Sequence, residues 1–357
     1  MGSQTVISVD TAGGDKGASP ILAGLSKSAR LNPDIRFILH GDEAELMRGL
    51  RRRGRLRDIC EIRHAPDIVA MDAKPSHVVR HSRGTSMLSA LQAVADGDAQ
   101  AVVSCGNTGA LMALSMLKLR KAPGVDRPAI AVMWPSINDS GYNIVLDVGA
   151  DVRADAASLT EFAAMGAEYA RLSFDLSNPR VGLLNVGSED NKGRVGIREA
   201  SEMIAEAQNN GAFEYIGFVE GGDILSNKVD VIVTDGFTGN IALKTAEGTA
   251  EFISNSLKGA FKRTPLSRIA ALLAMNPLRH MQKKIDPRQV NGGVFLGLGG
   301  AVIKSHGRAD ATAVSAAVKL AVRMGRTNFA RKVAERVALL PDRRSSVTEL
   351  SVGKGAR

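Results

Sequence analysis

Short β-branched and aliphatic runs recur along the chain, and several stop on a polar, glycine-bearing stretch. Eight of them predict buried strands: Thr5–Asp10, Ile35–His40, Ala101–Ser104, Ile130–Met133, Ile144–Asp147, Arg180–Asn185, Tyr215–Val219 and Val229–Thr234. Helical spacing of apolar positions alternates with many of them, as in Met87–Asp96, Ala110–Lys121, Ala156–Leu172 and Arg198–Gln208. Strands that alternate with helices predict an α/β chain with a mostly parallel sheet and helices on both faces. In such sheets ligands bind beyond the carboxyl ends of the strands. The loops that follow the strands are therefore where the chemistry is sought.

One loop template occurs twice. Ser104–Leu111 (SCGNTGAL) and Thr234–Ile241 (TDGFTGNI) both read Ser/Thr-x-Gly-x-Thr-Gly-x-apolar between a strand and a helix. A helix N-terminus carries free N–H groups and partial positive charge, and glycine lets backbone approach an anion closely. In the second copy Thr238 and Asn240 add side-chain donors around Gly239, and Lys244 follows one turn on. Asp235, at the strand end, is placed to orient a donor or a lysine. The alternative for each copy is a tight strand-to-helix turn with Asn or Thr as its cap.

Further glycine-bearing loops are Asp10–Gly17, Asn185–Gly193 with Lys192, Val219–Asp223, and Asn291–Gly307 with Lys304, Ser305 and His306. None is a dinucleotide fingerprint or a P-loop, and no His/Cys/Asp grouping has metal-ligand spacing. The reading is of an enzyme without metal or cofactor. Cys105, near a helix start, raises a nucleophile hypothesis, but no histidine signature accompanies it. A small buried core cysteine is the preferred reading.

Charge narrows the partners. Forty-six basic against 37 acidic residues give a formal charge of +9, which favours acidic proteins, anionic membrane, nucleic acid or phosphate compounds. Aromatic residues make up only 4 % and do not interleave with basic ones, which argues against a nucleic-acid stacking surface. Two cysteines without a disulfide pattern, no signal peptide and no long apolar run fit a cytoplasmic protein. Residues 1–340 are expected to form one domain, with a helical insertion near 250–285 and a fraying tail over 341–357.

In order along the chain, Asp10–Asp15, Arg80–Met87, Gly106–Ala110, Arg127–Ala129, Leu146–Gly149, Asn185–Gly187 with Lys192-Gly193, Thr234–Asn240 with Leu243–Thr245, and Lys304–Gly307 form a motif set. With that set the sequence resembles the bacterial acyl-ACP:phosphate acyltransferase family, PlsX. It departs from the family at Thr11, Ala12, Cys105 and Asp151. The resemblance implies a three-layer α/β/α fold like that of isocitrate/isopropylmalate dehydrogenases. It also implies a homodimer, transfer of an acyl group from acyl carrier protein (ACP) to phosphate, and delivery of the acyl phosphate to the membrane acyltransferase PlsY.

The loop chemistry agrees with that activity. Phosphate attacks a thioester without a strong base, so the protein has mainly to position the anion and stabilise the oxyanion. Lys192 and Asn240 are the first candidates, with Asp235 and His306 as further catalytic groups. Asn107, Thr108, Gly109, Thr238, Gly239 and Lys244 are candidates for binding phosphate. Basic patches at Lys258–Arg268 or Arg51–Arg57 are candidate sites for acidic ACP, although Leu50–Gly54 also reads as a solvated helix end. Phe252–Ile285 is amphipathic, and Leu266, Ile269, Leu272 and Leu273 are expected to enter the headgroup boundary of an anionic membrane; packing on a dimer partner is the alternative. The rival activities are acyl transfer from acyl-CoA, as in phosphotransacetylases, a nucleotide-dependent dehydrogenase reaction of the related fold, and basic nucleic-acid binding.

Overall fold

The computed structural model describes residues 4–189, 191–278 and 292–340. The expected tail at 341–357, and the part of the amphipathic segment beyond residue 278, lie outside the described residues.

Eleven strands share one sheet. They are β1 (Thr5–Asp10), β2 (Ile35–Gly41), β3 (Cys60–His64), β4 (Ala101–Ser104), β5 (Ala129–Pro135), β6 (Tyr142–Leu146), β7 (Arg180–Leu184), β8 (Glu214–Val219), β9 (Val231–Val233), β10 (Gly293–Leu296) and β11 (Ala301–Lys304). Their order across the sheet is β3-β2-β1-β4-β11-β10-β5-β6-β9-β7-β8. Twelve helices are used below: α1 (Ala18–Leu31), α2 (Glu43–Leu50), α3 (Gly54–Asp58), α4 (Pro75–His81), α5 (Ser86–Ala95), α6 (Thr108–Lys118), α7 (Ala156–Phe174), α8 (Val195–Gly211), α9 (Gly236–Lys262), α10 (Pro265–Leu273), α11 (Ala311–Arg326) and α12 (Phe329–Val337).

The three layers follow from side-chain alternation at period two. Val103, Ala131, Leu146, Val233 and Ile303 face one core, with α1, α7, α8, α11 and α12. Their neighbours Val102, Ile130, Val145, Ile232 and Val302 face the other, with α4, α5, α6 and the start of α9. Both faces of the central strands are covered, so those strands are mostly apolar.

All eight predicted strands are present, but the sheet also contains three that the pattern did not predict. Edge strand β3 carries Glu61 and Arg63 and is only partly buried, so it lacks an apolar signature. The stretch Asn291–Gly307, expected to be an anion-binding loop, instead supplies β10 and β11 at the sheet centre; Asn291 itself is outside the described residues. Its glycines serve packing. Gly297 has a φ of +79°, and a Cβ on Gly299 would come 2.4 Å from the Leu119 carbonyl oxygen. Outside the turn at Gly297–Gly300 that joins the two strands, the end of this stretch, Ser305–Gly307, remains a loop.

Strand polarity places the site. β10 is antiparallel to β11 and β5, and β5 is antiparallel to β6. β1, β4 and β11 therefore run one way, and β6, β9, β7 and β8 run the other. Register brings Val103, Ile303, Val294, Ala131, Leu146 and Val233 to one height. The carboxyl ends of the two halves, approached from opposite directions, thus meet near the same level.

Candidate active site

The two copies of the loop template form two corners. The first joins β4 to α6 and the second joins β9 to α9. From β4 to β9 is five inter-strand steps, on the order of 24 Å along the sheet at about 4.8 Å each. One phosphate cannot touch both corners, so the predicted site residues divide into two groups.

Each corner is built on a buried carboxylate at the end of a neighbouring strand. Asp10 ends β1 and accepts hydrogen bonds from the hydroxyls of Ser86 and Ser104, both at 2.6 Å. Burial raises its pKa, and those hydroxyls with the Ala12 and Gly13 backbone oppose the rise. Asp147 follows β6 and accepts from the backbone N–H groups of Ile130, Gly149, Ala150 and Asp151 at 2.6–3.1 Å. Its pKa is likewise raised by burial against those bonds. The template glycines lie against these carboxylates. A Cβ on Gly236 would come 2.5 Å from Asp147 Oδ2, and one on Gly239 would come 2.0 Å from the Asp147 carbonyl oxygen.

At the first corner Asn107 caps α6. Its Oδ1 accepts from Ala110 N at 2.9 Å, while its amide donates to the carbonyls of Met71 and Ala73 at 2.7 and 3.1 Å. That side chain is fully engaged inside the chain. Thr108 and Gly109 are exposed in the first turn. One strand away Lys304 is largely enclosed, donating to the Ser305 and Cys105 carbonyls, and burial lowers its pKa. His306 stands at the rim. Its Nδ1 accepts from Arg308 N at 3.1 Å, which puts the ring proton on Nε2. Partial burial and the charges of Lys244 and Lys304 lower its pKa, so the ring is neutral at pH 7 and offers Nε2–H as a donor. Cys105 is buried, and burial pushes its thiol up to about 11, which removes it as a nucleophile at neutral pH.

The second corner is arranged differently. The cap of α9 is Asp235, two template positions earlier than Asn107. Its Oδ1 accepts from Thr238 N at 2.8 Å, and its Oδ2 from the Thr238 hydroxyl at 3.1 Å and from Arg194 Nη2 at 2.8 Å. With the cap supplied by Asp235, Asn240 lies in the helix, exposed beside Gly149, and its amide makes no hydrogen bond among the described residues.

Lys192 sits on the loop that leaves β7. Gly193 turns that loop at a φ of +87°, where a Cβ would strike Asn185, and Asn185 donates to the Lys192 carbonyl at 3.2 Å. The Lys192 ammonium pairs with Glu189 at 2.7 Å; this hydrogen bond and charge raise its pKa, so it acts as a cation and not as a base. Lys244 and Glu247, paired at 2.7 Å further along α9, extend towards His306 and Lys304. They stand between the two corners.

Residue patterns missed three groups. Arg194 is 75 % exposed yet anchored to Asp235, which is 8 % exposed, so it neutralises that carboxylate and ties the Lys192 loop to the corner. Arg127 reaches Asp151 at 3.8 Å on the other side. Asp147 was visible only as part of a motif. Its role depends on four backbone donors that no spacing rule predicts.

Comparison with known proteins bears on the family and the fold. A family model described as "Fatty acid synthesis protein" matches residues 5–332. A phosphate acyltransferase from Roseobacter denitrificans (strain ATCC 33942 / OCh 114) is 59 % identical over 95 % of this chain and 95 % of its own. A phosphotransacetylase from Streptococcus pyogenes has a TM-score of 0.59 at 18 % identity, covering 91 % of this chain and 94 % of its own. A Salmonella typhimurium structure described as a 4-hydroxythreonine-4-phosphate dehydrogenase candidate has a TM-score of 0.50 at 14 % identity, covering 90 % of this chain and all of its own. At those identities the two structures attest the fold alone, which matches the three-layer α/β/α expectation.

Proposed function

The chain belongs to the fatty acid synthesis protein family and is an enzyme that transfers acyl groups to phosphate, and from that premise we propose that phosphate attacks an acyl-ACP thioester directly at the second corner. The carrying observation is the open corner itself: Asn240, Lys192 and the free edge of Arg194 are exposed where Asp235 already caps the helix. Phosphate exchanges with Glu189 for the Lys192 ammonium. Arg194 cancels the charge of Asp235 that would otherwise repel the anion. Asn240 directs a donor at the phosphate or at the tetrahedral oxyanion.

Among the described residues no activated nucleophile supports an acyl-enzyme. Cys105 is a buried, high-pKa thiol, and phosphate dianion is itself an adequate nucleophile once held in line. His306, with its ring proton on Nε2, and Lys244 lie close enough for the charge of Lys244 to act on the ring, and the thioester is assigned to their neighbourhood. The expected product is acyl phosphate, for consumption by PlsY at the membrane.

The long arm supports two further parts of the reading, dimer formation and peripheral membrane contact on the cytoplasmic side. Within the 27-residue α9 only Gly236 and Gly239 are buried, and α10 buries nothing. Phe252 and Ile253 suit a second copy of the chain. Leu266, Ile269, Leu272 and Leu273 on α10 are 55–82 % exposed and suit an anionic headgroup layer. No helix among the described residues is long and apolar enough to cross a membrane.

The test is donor- and phosphate-resolved turnover. Palmitoyl-ACP should release ACP only when phosphate is present, faster than palmitoyl-CoA releases CoA, and no acyl group should remain on acid-quenched protein. A stable acyl-protein adduct would defeat direct attack. A preference for the CoA thioester would favour the phosphotransacetylase type of donor.

A further inference from the structure

On the face opposite α6 and α9, a concave groove of about 530 Å³ runs between α1, the turn joining α2 to α3, and the first residue of α11, Ala311. Lys27, Arg30, Arg52, Arg53 and Arg55 line it, with alanine, serine, glycine and Leu56 between them and no acidic residue. Arg53 donates to the Gly49 carbonyl at 2.5 Å. Lys27, Arg30, Arg52 and Arg55 are exposed and form no ion pair among the described residues. Cations gathered around one concavity repel each other, and a complementary anionic surface removes that repulsion.

The groove leads towards the His306 rim. Ala311 opens the helix that leaves the His306 loop, and Lys16 donates to the Arg308 carbonyl at 3.3 Å, so basic residues continue from the groove to the rim. The shape selects the occupant. A bilayer is flat and needs protruding apolar side chains, which this lining lacks. Single-stranded nucleic acid is held on aromatic platforms, and no aromatic residue lines the groove. A helix that shows carboxylates on successive turns matches both the curvature and the spread of charge.

We propose that this groove docks an acidic helical segment of the protein that carries the acyl donor. The proposal rests on the carrier-bound donor inferred above. It favours the patch around Arg51–Arg57 over that at Lys258–Arg268, which lies on the projecting arm.

The test compares one acyl chain on two handles, palmitoyl-ACP and palmitoyl-pantetheine, for the full chain and for the double variants Arg52→Glu/Arg55→Glu and Arg52→Lys/Arg55→Lys. The Glu variant should raise the KM for palmitoyl-ACP about tenfold or more with kcat held. It should leave the pantetheine thioester and the phosphate KM unchanged, and flatten the rise of the ACP KM with salt. The Lys variant should stay near wild type. An unchanged ACP KM, or equal weakening of both donors, would overturn the docking assignment. So would loss of DNA or anionic-vesicle binding in the Glu variant with ACP kinetics intact. If the wild type turns over the pantetheine thioester but not palmitoyl-ACP, the donor reading fails first, and the docking proposal falls with it before any variant is made.

Discussion

The β4–α6 and β9–α9 corners use one template for opposite ends. In the first, the capping amide of Asn107 is bonded on both its sides, to Ala110 and to the 71–73 segment. In the second, the cap moves two positions earlier to Asp235, and the amide at the end of the template, Asn240, is left facing solvent. The buried carboxylates beneath, Asp10 and Asp147, make equivalent frameworks. A shift of the cap along the same motif therefore converts a closed joint into an open set of donors. The side chain of Asn107 should report in stability and that of Asn240 in kinetics.

The largest expected effect is kinetic. Asn240→Ala and Lys192→Ala should each lower kcat by about two to three orders of magnitude, as loss of a preorganised donor does, with thermal midpoints near wild type. Steady-state rates beside a melting curve decide this, and variants with ordinary turnover would dissolve the contrast.

Next comes the shared glycine. Gly239→Ala puts a methyl 2.0 Å from a backbone oxygen, whereas Gly109→Ala meets only a Pro75 ring carbon at 2.9 Å. The first should destabilise by about 3 kcal/mol, and the second by less, about 1 kcal/mol. Denaturant titration of the pair tests whether the second corner is the tighter one beneath its open donors.

Asn107→Ala removes a cap and two inward donors, for about 2 kcal/mol of stability. Because this amide does not face the ligand, kcat should stay within about twofold; a collapse of kcat in a stable variant would make the first corner catalytic.

At neutral pH the smallest effect is that of His40, which shows only as a slope on acidification. His40 lies under the first corner, bonded to Ser8 and Ser89, and burial holds its pKa at about 3. The unfolded chain takes up a proton near pH 6.5 that the folded chain refuses. Stability from this group is complete above pH 6.5 and falls as the pH drops towards 3, by at most about 1.4 kcal/mol per pH unit. His40→Gln should remove that component from a pH series of unfolding curves.

The sequence showed the fold class and both corners because buried strands and glycine-bearing turns have local signatures. Strands β10 and β11 were not legible, because glycines that allow close packing against Leu119 and Ile130 look like loop glycines until the neighbouring strands are placed. Edge strand β3 was hidden by its charges. Within the site, Asn240, Lys192 and Lys244 could be chosen by residue type. The inward turn of Asn107 and the Arg194–Asp235 pair could not, since each depends on a segment distant in the chain, Met71–Ala73 in one case and the β7 loop in the other. The separation of the two corners was equally invisible, because strand order fixes it and spacing does not.

The most direct test follows labelled inorganic phosphate into acyl phosphate from palmitoyl-ACP, with wild type, Asn240→Ala and Asn107→Ala compared side by side. The account predicts label in the product at a phosphate-dependent rate, nearly abolished in Asn240→Ala and retained in Asn107→Ala. Unlabelled acyl product formed without phosphate, or the reverse order of the two variants, would contradict it.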